Sequence, residues 1–155
     1  MPQTPIRILF VCHGNICRST MAEFVLKDMV ARRGLTEQFH IESAATSTEE
    51  IGNPVHPGTA AVLREYGIGG FEGKRARQLR RADYDAFDFI IGMDTANIRN
   101  MNWILGGDPD GKVFKLLEFA GTSRSVDDPW YTGDFETTYA DVCDGCEGLL
   151  AYLGV

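Results

Sequence analysis

Ile6-Arg7-Ile8-Leu9-Phe10-Val11-Cys12-His13-Gly14-Asn15-Ile16-Cys17-Arg18-Ser19 joins an apolar run to the start of a helical pattern. Ile6 to Val11 is β-branched and apolar with one charge, and reads as a buried strand of a parallel sheet. Beyond Ser19, Met21, Val25 and Met29 fall four apart, and Ala22, Leu26 and Val30 form a second row beside them. That is a broad apolar helix face. Cys12 to Cys17 is therefore the bend between a strand end and a helix start.

Unpaired backbone N–H groups converge at such a bend, and the helix dipole adds partial positive charge, so an anion is expected there. Gly14 and Asn15 are the residue types that accept φ > 0, as a loop with inward-pointing amides requires. Arg18 would meet a phosphate as a planar fork matching two of its oxygens. The same field favours the thiolate of Cys12, the nucleophilic form. A phosphoryl group held by the amides and Arg18 then presents its phosphorus to the sulfur for in-line attack. The plain alternative is Cys12 as a small buried hydrophobe. Arg18, Gly14 and Ser19 in register argue against it.

A leaving phenolate or alkoxide must be protonated, which requires a carboxylic acid over the thiolate loop. Asp127 and Asp128 are adjacent candidates, and Pro129 would stiffen the loop and hold Asp128 out of a helical conformation. A turn-forming acid is the alternative. Trp130 and Tyr131 read either as an aromatic wall suited to a flat aryl ring or as an ordinary surface or core aromatic pair. Cys17 shares the tight bend with Cys12, so a disulfide under peroxide would block the nucleophile reversibly; plain packing is the other reading. Cys143 and Cys146 form a C-x2-C pair within an apolar helical row and read as packing residues, not as zinc ligands. His13, His40 and His56 are scattered and make no metal site.

On these residues the chain resembles the low-molecular-weight protein tyrosine phosphatase family, whose signature loop runs Cys, four residues, Cys, Arg, then Ser or Thr. Ser43-Ala44-Ala45-Thr46-Ser47, Ile51-Gly52-Asn53-Pro54, Arg75-Ala76-Arg77-Gln78, Met93-Asp94, Asp128-Pro129-Trp130-Tyr131 and Phe135-Glu136-Thr137 follow the family's further segments in order. The resemblance implies a three-layer α/β/α fold with a four-stranded parallel sheet and a phosphate-binding loop after the first strand. It implies a cysteine-dependent, metal-independent hydrolase without a cofactor, acting on phosphotyrosine and small aryl phosphates. Cys12 would carry a phosphocysteine, Arg18 would bind the phosphoryl group, and Asp128 would be the general acid and then the base. His13, Gly14, Asn15, Ile16, Cys17, Ser19, Trp130 and Tyr131 would bind substrate. In the family, Asn15 and Ser19 belong to a hydrogen-bond network reaching the serine matched by Ser43 and a histidine; Lys74 stands in that histidine's place.

The rest of the chain is compatible. At 155 residues, with 44% hydrophobic and 24% charged, it reads as one globular domain spanning 1–155. No apolar run approaches the ~20 residues that span a bilayer, so no membrane association is expected. Met1-Pro2-Gln3-Thr4-Pro5 lacks the charged and apolar regions of a secretion signal. Four cysteines, one needed as a thiolate, suit a reducing cytoplasm. A net charge of −7 argues against nucleic acid. The expected partners are tyrosine-phosphorylated proteins, and the chain is expected to be a monomer or weakly self-associating. The basic stretch Lys74, Arg75, Arg77, Arg80, Arg81 reads mainly as a solvated face with local pairing, and secondarily as a dock for acidic peptide flanks. Strands are expected at Phe39–Ser43, Phe87–Ile91 and Val113–Leu116, and helices at Thr59–Tyr66 and Phe135–Leu153, alternating as in an α/β layer fold.

Four rival readings are weaker. Thioredoxin-coupled arsenate reductases share the Cys-x5-Arg loop but need two mid-chain cysteines, and none lies between Cys17 and Cys143. Phosphoarginine phosphatases usually carry Thr where Ile16 stands, and the bulk of Ile16 favours a phenolic ester. A phosphate-binding module needs no Cys12–Asp128 combination, and a phosphocysteine carrier needs no acid to release phosphate. Thr48-Glu49-Glu50 lacks the aromatic that many relatives place on the rim, so an open rim is expected, with Glu49 disfavouring acidic residues beside the phosphotyrosine.

Overall fold

A computed structural model describes residues 4–155; Met1, Pro2 and Gln3, part of the stretch read as free of a leader, lie outside the described residues. Four strands, β1 (Ile6–Cys12), β2 (Phe39–Ala45), β3 (Phe89–Gly92) and β4 (Val113–Lys115), form one all-parallel sheet in the order β2-β1-β3-β4. Ile8, Leu9, Phe10 and Val11 of the central β1 are fully buried, which is why that stretch is continuously apolar instead of alternating. Ile8, Phe10 and Cys12 face one core, shared with helices α1 (Arg18–Arg32), α2 (Pro57–Glu65) and α6 (Phe135–Tyr152). Leu9 and Val11 face a second core containing Tyr84, Phe87, Met101 and Leu105. Tyr84 lies in the short α3 (Asp83–Ala86), and Met101 and Leu105 lie in α4 (Thr95–Leu105). The three-layer α/β/α expectation holds.

β1 pairs with β2 on one side and β3 on the other, so the chain reverses its winding direction beside the carboxyl end of β1. A crevice opens at such a switch point. Cys12 is the last residue of β1 and sits at its lip.

Several boundaries differ from expectation. β2 runs on to Ala45, and α2 begins at Pro57, because His56 caps it and proline is favoured in the first helical turn. The strand expected from Phe87 begins at Phe89: α3 ends there and Phe87, though buried, is its cap. Leu116 leaves β4 for a 3-10 turn over Leu116–Ala120. The polar-looking helix α4 was not anticipated, yet its signals are local. Asp94 and Asn97 form a capping box, and Gly106 ends the helix at φ +78°. In α6 the mid-helix Gly148 is explained by contact: a Cβ there would lie 2.1 Å from the carbonyl oxygen of Phe119. No helix among the described residues is long and apolar enough to cross a membrane.

Candidate active site

The loop from Cys12 to Cys17 is shaped by what its carbonyls do. Cys12 O accepts from Thr46 N (2.9 Å), His13 O from Ser47 N (3.0 Å), and Ile16 O from His56 N (2.9 Å). Cys17 O accepts from Met21 N (3.1 Å) and Thr59 Oγ1 (3.1 Å). A trans peptide sets its N–H opposite its C=O. With those carbonyls turned outward into the scaffold, the amides of His13, Gly14, Cys17 and Arg18 turn the other way, toward the crevice. Asn15 alone supplies the left-handed backbone, at φ +58°; Gly14 does not use positive φ. Gly14 is instead overlain by Glu50, whose Cγ would be 3.3 Å from an added Cβ.

Nine of the expected residues meet in one pocket. Cys12, Gly14, Ile16, Cys17 and Arg18 line it together with Asp128, Trp130 and Tyr131, and the exposed His13 joins Glu49 and Glu50 at its rim. Asn15 and Ser19 lie behind this lining, fully buried. Ser19 Oγ is 3.0 Å from Cys12 Sγ, and Asn15 Nδ2 donates to Ser19 Oγ (2.8 Å) and Ser43 Oγ (2.9 Å). Asn15 Oδ1 accepts from Arg77 N, which fixes the amide's orientation. Ser43 Oγ donates to Glu23 Oε1 (2.5 Å). The far end is occupied by lysines: Lys27 Nζ binds Glu23 Oε2 (2.6 Å), and Lys74 Nζ lies 3.6 Å from Glu23 Oε1 and 2.8 Å from Ser43 O. Lys74 thus joins the network. Since a carboxylate only accepts, Glu23 obliges Ser43 to donate, Ser43 and Ser19 then accept from Asn15, and the Ser19 proton is free for the sulfur.

Arg18 has a side chain only 3% exposed. Its NH1 donates to Asp94 Oδ2 (2.6 Å) and Val126 O (2.9 Å), and its NH2 lies 3.4 Å from Asp128 Oδ2. Burial opposes the guanidinium's charge, but the negative neighbours Cys12, Asp94 and Asp128 outweigh it and raise its pKa. Asp94 is the site residue whose role residue spacing did not reveal. Its Oδ1 caps α4 through Asn97 N (2.7 Å) while its Oδ2 holds Arg18. The Asp94-x-x-Asn97 cap is legible locally; the contact with Arg18, 76 positions away, is not.

The two loop cysteines differ. Burial, the charge on Cys12 and Asp128 push the Cys17 thiol up to about 12, so it stays protonated near neutrality. Asp128 has extended backbone before Pro129 and caps α5 (Pro129–Thr132), its Oδ1 accepting from Trp130 N at 3.0 Å. Asp127 contributes only its carbonyl, to Thr138 Oγ1. Trp130 and Tyr131 are 58% and 84% exposed, placing them in the wall and not in the core. Cys146 is buried against Ala22 O and Cys143 is half-buried, as packing residues are. In the basic stretch, Arg77 pairs with Asp83 and Glu42, and Lys74 with Glu23.

The sequence model for low molecular weight phosphotyrosine protein phosphatase matches residues 7–154. The chain is 43% identical over 148 residues to the low molecular weight protein-tyrosine-phosphatase YfkJ of Bacillus subtilis, covering 94% of each chain. The YfkJ crystal structure superposes with a TM-score of 0.93 over 98% of this chain and 96% of that one, at 42% identity. The crystal structure of SP-PTP, the low molecular weight protein tyrosine phosphatase of Streptococcus pyogenes, gives 0.86 at 43% identity, covering 96% and 93%. The low molecular weight phosphotyrosine protein phosphatase of Schizosaccharomyces pombe is 39% identical over 150 residues, 94% of this chain and 95% of its own.

Proposed function

The chain belongs to the low-molecular-weight phosphotyrosine protein phosphatase family and is a protein-tyrosine phosphatase, and we propose that Cys12, Arg18 and Asp128 carry its reaction. The observation that supports these roles above all is the convergence of a sulfur, a buried guanidinium and a carboxyl on one pocket floored by outward-anchored peptides.

In the first step the Cys12 thiolate attacks phosphorus in line, forming the S–P bond as the P–O bond to the phenol breaks. Arg18 and the inward amides hold the three equatorial oxygens, where charge concentrates. Protonated Asp128 gives its proton to the departing phenolate oxygen, leaving a carboxylate. In the second step that carboxylate takes a proton from water, whose oxygen attacks phosphorus; the S–P bond breaks and the electron pair returns to sulfur. The Ser19 hydroxyl, freed to donate by the Asn15 contact, stabilises the departing thiolate. Phosphate leaves and the protonated Asp128 is restored.

The substrates are phosphotyrosine-bearing proteins. Ile16, in the pocket lining, narrows it toward a flat aryl ester, and the acidic rim of Glu49 and Glu50 favours neutral or basic neighbours. All reactive groups come from one chain, which suits a monomer acting as one domain over 1–155. A reducing cytoplasm keeps its four cysteines free.

Turnover of an aryl phosphate with chelator present tests the assignment. Wild type is expected to be undiminished by chelator, Cys12→Ser inactive, and Asp128→Ala reduced by about 10²-fold or more with phosphotyrosine. Full activity in Cys12→Ser overturns it, and phosphoarginine turned over as fast as phosphotyrosine overturns the Ile16 reading.

A further inference from the structure

His56 takes no part in the reaction described above, yet it touches both the phosphate loop, at Ile16, and the aromatic wall, at Trp130. It caps α2 with its side chain, and its backbone N–H donates to Ile16 O of the phosphate loop at 2.9 Å. Its Nδ1 accepts from Gly58 N at 2.9 Å, which puts the neutral ring's proton on Nε2. One face of the imidazole stacks on Phe135 (centroids 5.1 Å, 19°), and Trp130 meets it edge-on (5.6 Å, 79°). Phe135 packs in turn on Ile16 and Cys17. It reaches α2 because Gly58 has no side chain: a Cβ there would lie 2.4 Å from Phe135 Cζ.

The acid-bearing turn is anchored up to Pro129, by Val126 N on Met93 O, Arg18 on Val126 O and Thr138 Oγ1 on Asp127 O, but the aromatic part beyond it is looser. α5 is four residues long, ends at Gly133 with φ +72°, and exposes most of Tyr131. Asp128 reaches Arg18 only at 3.4 Å, and its firmer bond, at 3.0 Å, is to the backbone of Trp130. The seat of Trp130 therefore helps to set the orientation of the Asp128 carboxyl. What holds Trp130 laterally is the ring of His56, itself tied to the phosphate loop.

We propose that His56 is a positioning residue: its ring braces Trp130, and through it Asp128, at a set distance from the loop that carries Cys12. This inference rests on the acid role given to Asp128. The functional consequence is specific. A misplaced acid hurts esters with poor leaving groups, which need the proton, and spares esters with good ones, which do not. The comparison belongs in kcat/KM, which covers every step through phosphoryl transfer to sulfur.

The two functions of the side chain separate by substitution. His56→Asn keeps a cap acceptor and removes the ring; His56→Phe keeps the ring and removes the acceptor. For phenyl phosphate, His56→Asn is expected to lose about five- to tenfold in kcat/KM, a fraction of what a positioned acid supplies, with less than about twofold lost for 2,4-dinitrophenyl phosphate. His56→Phe is expected to keep the wild-type dependence on leaving group. The chain has two tryptophans, so in a Trp103→Phe background Trp130 alone reports, and its emission is expected to change with His56→Asn. Equal losses for both esters in His56→Asn, or unaltered Trp130 emission, overturn the proposal. Asp128→Asn is the control. If it steepens the leaving-group dependence while His56→Asn does not, only the bracing role fails; if Asp128→Asn leaves the dependence flat, the acid assignment fails and the bracing role with it.

Discussion

The floor and the rim of the pocket are built on opposite plans. On the floor, Cys12, Asn15, Arg18 and Ser19 are at most 3% exposed and each has a fixed partner. At the rim, the side chains of His13 and Glu49 are 52% and 69% exposed, and their mutual contact at 2.9 Å is the only tether the pair has across the pocket's edge among the described residues. Chemistry requires atoms held within fractions of an ångström, so the floor is buried, over-determined and intolerant of change. Choosing a partner protein requires only a field and some adaptable contact, so the rim is left wet. Substitutions on the floor should act on kcat whatever the substrate; those at the rim should act on the ranking of substrates.

The largest break is expected at Arg18. Arg18→Lys keeps the charge but loses the planar fork and cannot satisfy Asp94, Val126 O and a phosphoryl group at once. A fall in kcat/KM of about 10²- to 10³-fold is expected, the usual consequence of removing a preorganised donor to a developing oxyanion. It should be equal for peptides of every charge. Asp94→Asn tests the support behind it: α4 keeps a cap acceptor, Arg18 loses its charged partner, and steady-state assays should show about a tenfold loss, less than for Arg18 itself.

Next comes the support under the sulfur. Lys74→Met leaves the buried Glu23 with the Ser43 hydroxyl and, among the described residues, Lys27 as its one cation, and removes the Lys74 donor from Ser43 O. The protein should lose about 1–2 kcal/mol to urea, below the cost of orphaning a buried charge because Lys27 remains. Cys12 should also alkylate more slowly with iodoacetate, because the Ser43–Asn15–Ser19 relay loosens. A variant as stable as wild type with unchanged alkylation would remove Lys74 from the site.

Cys17 gives a smaller, pH-dependent effect whose sign is set by its raised pKa. The folded chain holds that proton up to about 12, against 9.0 for a free thiol. The folded state therefore binds more protons between those values, and the stability contributed by the neutral thiol is complete below pH 9 and declines as pH rises toward 12. Cys17→Ser should flatten the alkaline decline of the urea midpoint relative to wild type while leaving the midpoint near pH 7 little changed. An identical decline in both proteins would show that Cys17 does not titrate this way.

The same division explains what could be read from the residues in line. The floor is mostly one contiguous segment, in which β1, the bend and α1 follow from apolar periodicity and the Cys12-to-Arg18 spacing. Asp128 was legible too, because Pro129 and two aromatics make a local pattern. Asp94 was not: its value to the site is a contact made only when β3 is laid beside β1. Helix α4 went unread for a different reason. Its core-facing residues Ile98, Met101, Ile104 and Leu105 are interleaved with three asparagines, an arginine and the exposed Trp103, which blurs the apolar face. His56 was visible only as an isolated histidine, since its contacts with Trp130 and Phe135 join two segments more than 70 residues apart in the chain.

The gentlest test falls on the rim and bears most directly on the comparison. Glu49 and Glu50 line the same pocket as Trp130 and Tyr131, with His13 paired to Glu49. Glu49 is well exposed, so its field is screened by solvent and salt and acts over roughly one Debye length, about 8–10 Å. That reaches the residues flanking a bound phosphotyrosine. Glu49→Lys reverses the field without touching a floor residue. The kcat/KM ratio of basic- to acidic-flanked phosphopeptides should fall about two- to fivefold, mostly through KM, and the difference should shrink as salt is raised. Turnover of an uncharged-flank aryl phosphate should stay near wild type. If it fell as far as the peptide ratio, the rim would be coupled to the floor through His13, and the separation of chemistry from selection drawn here would not stand.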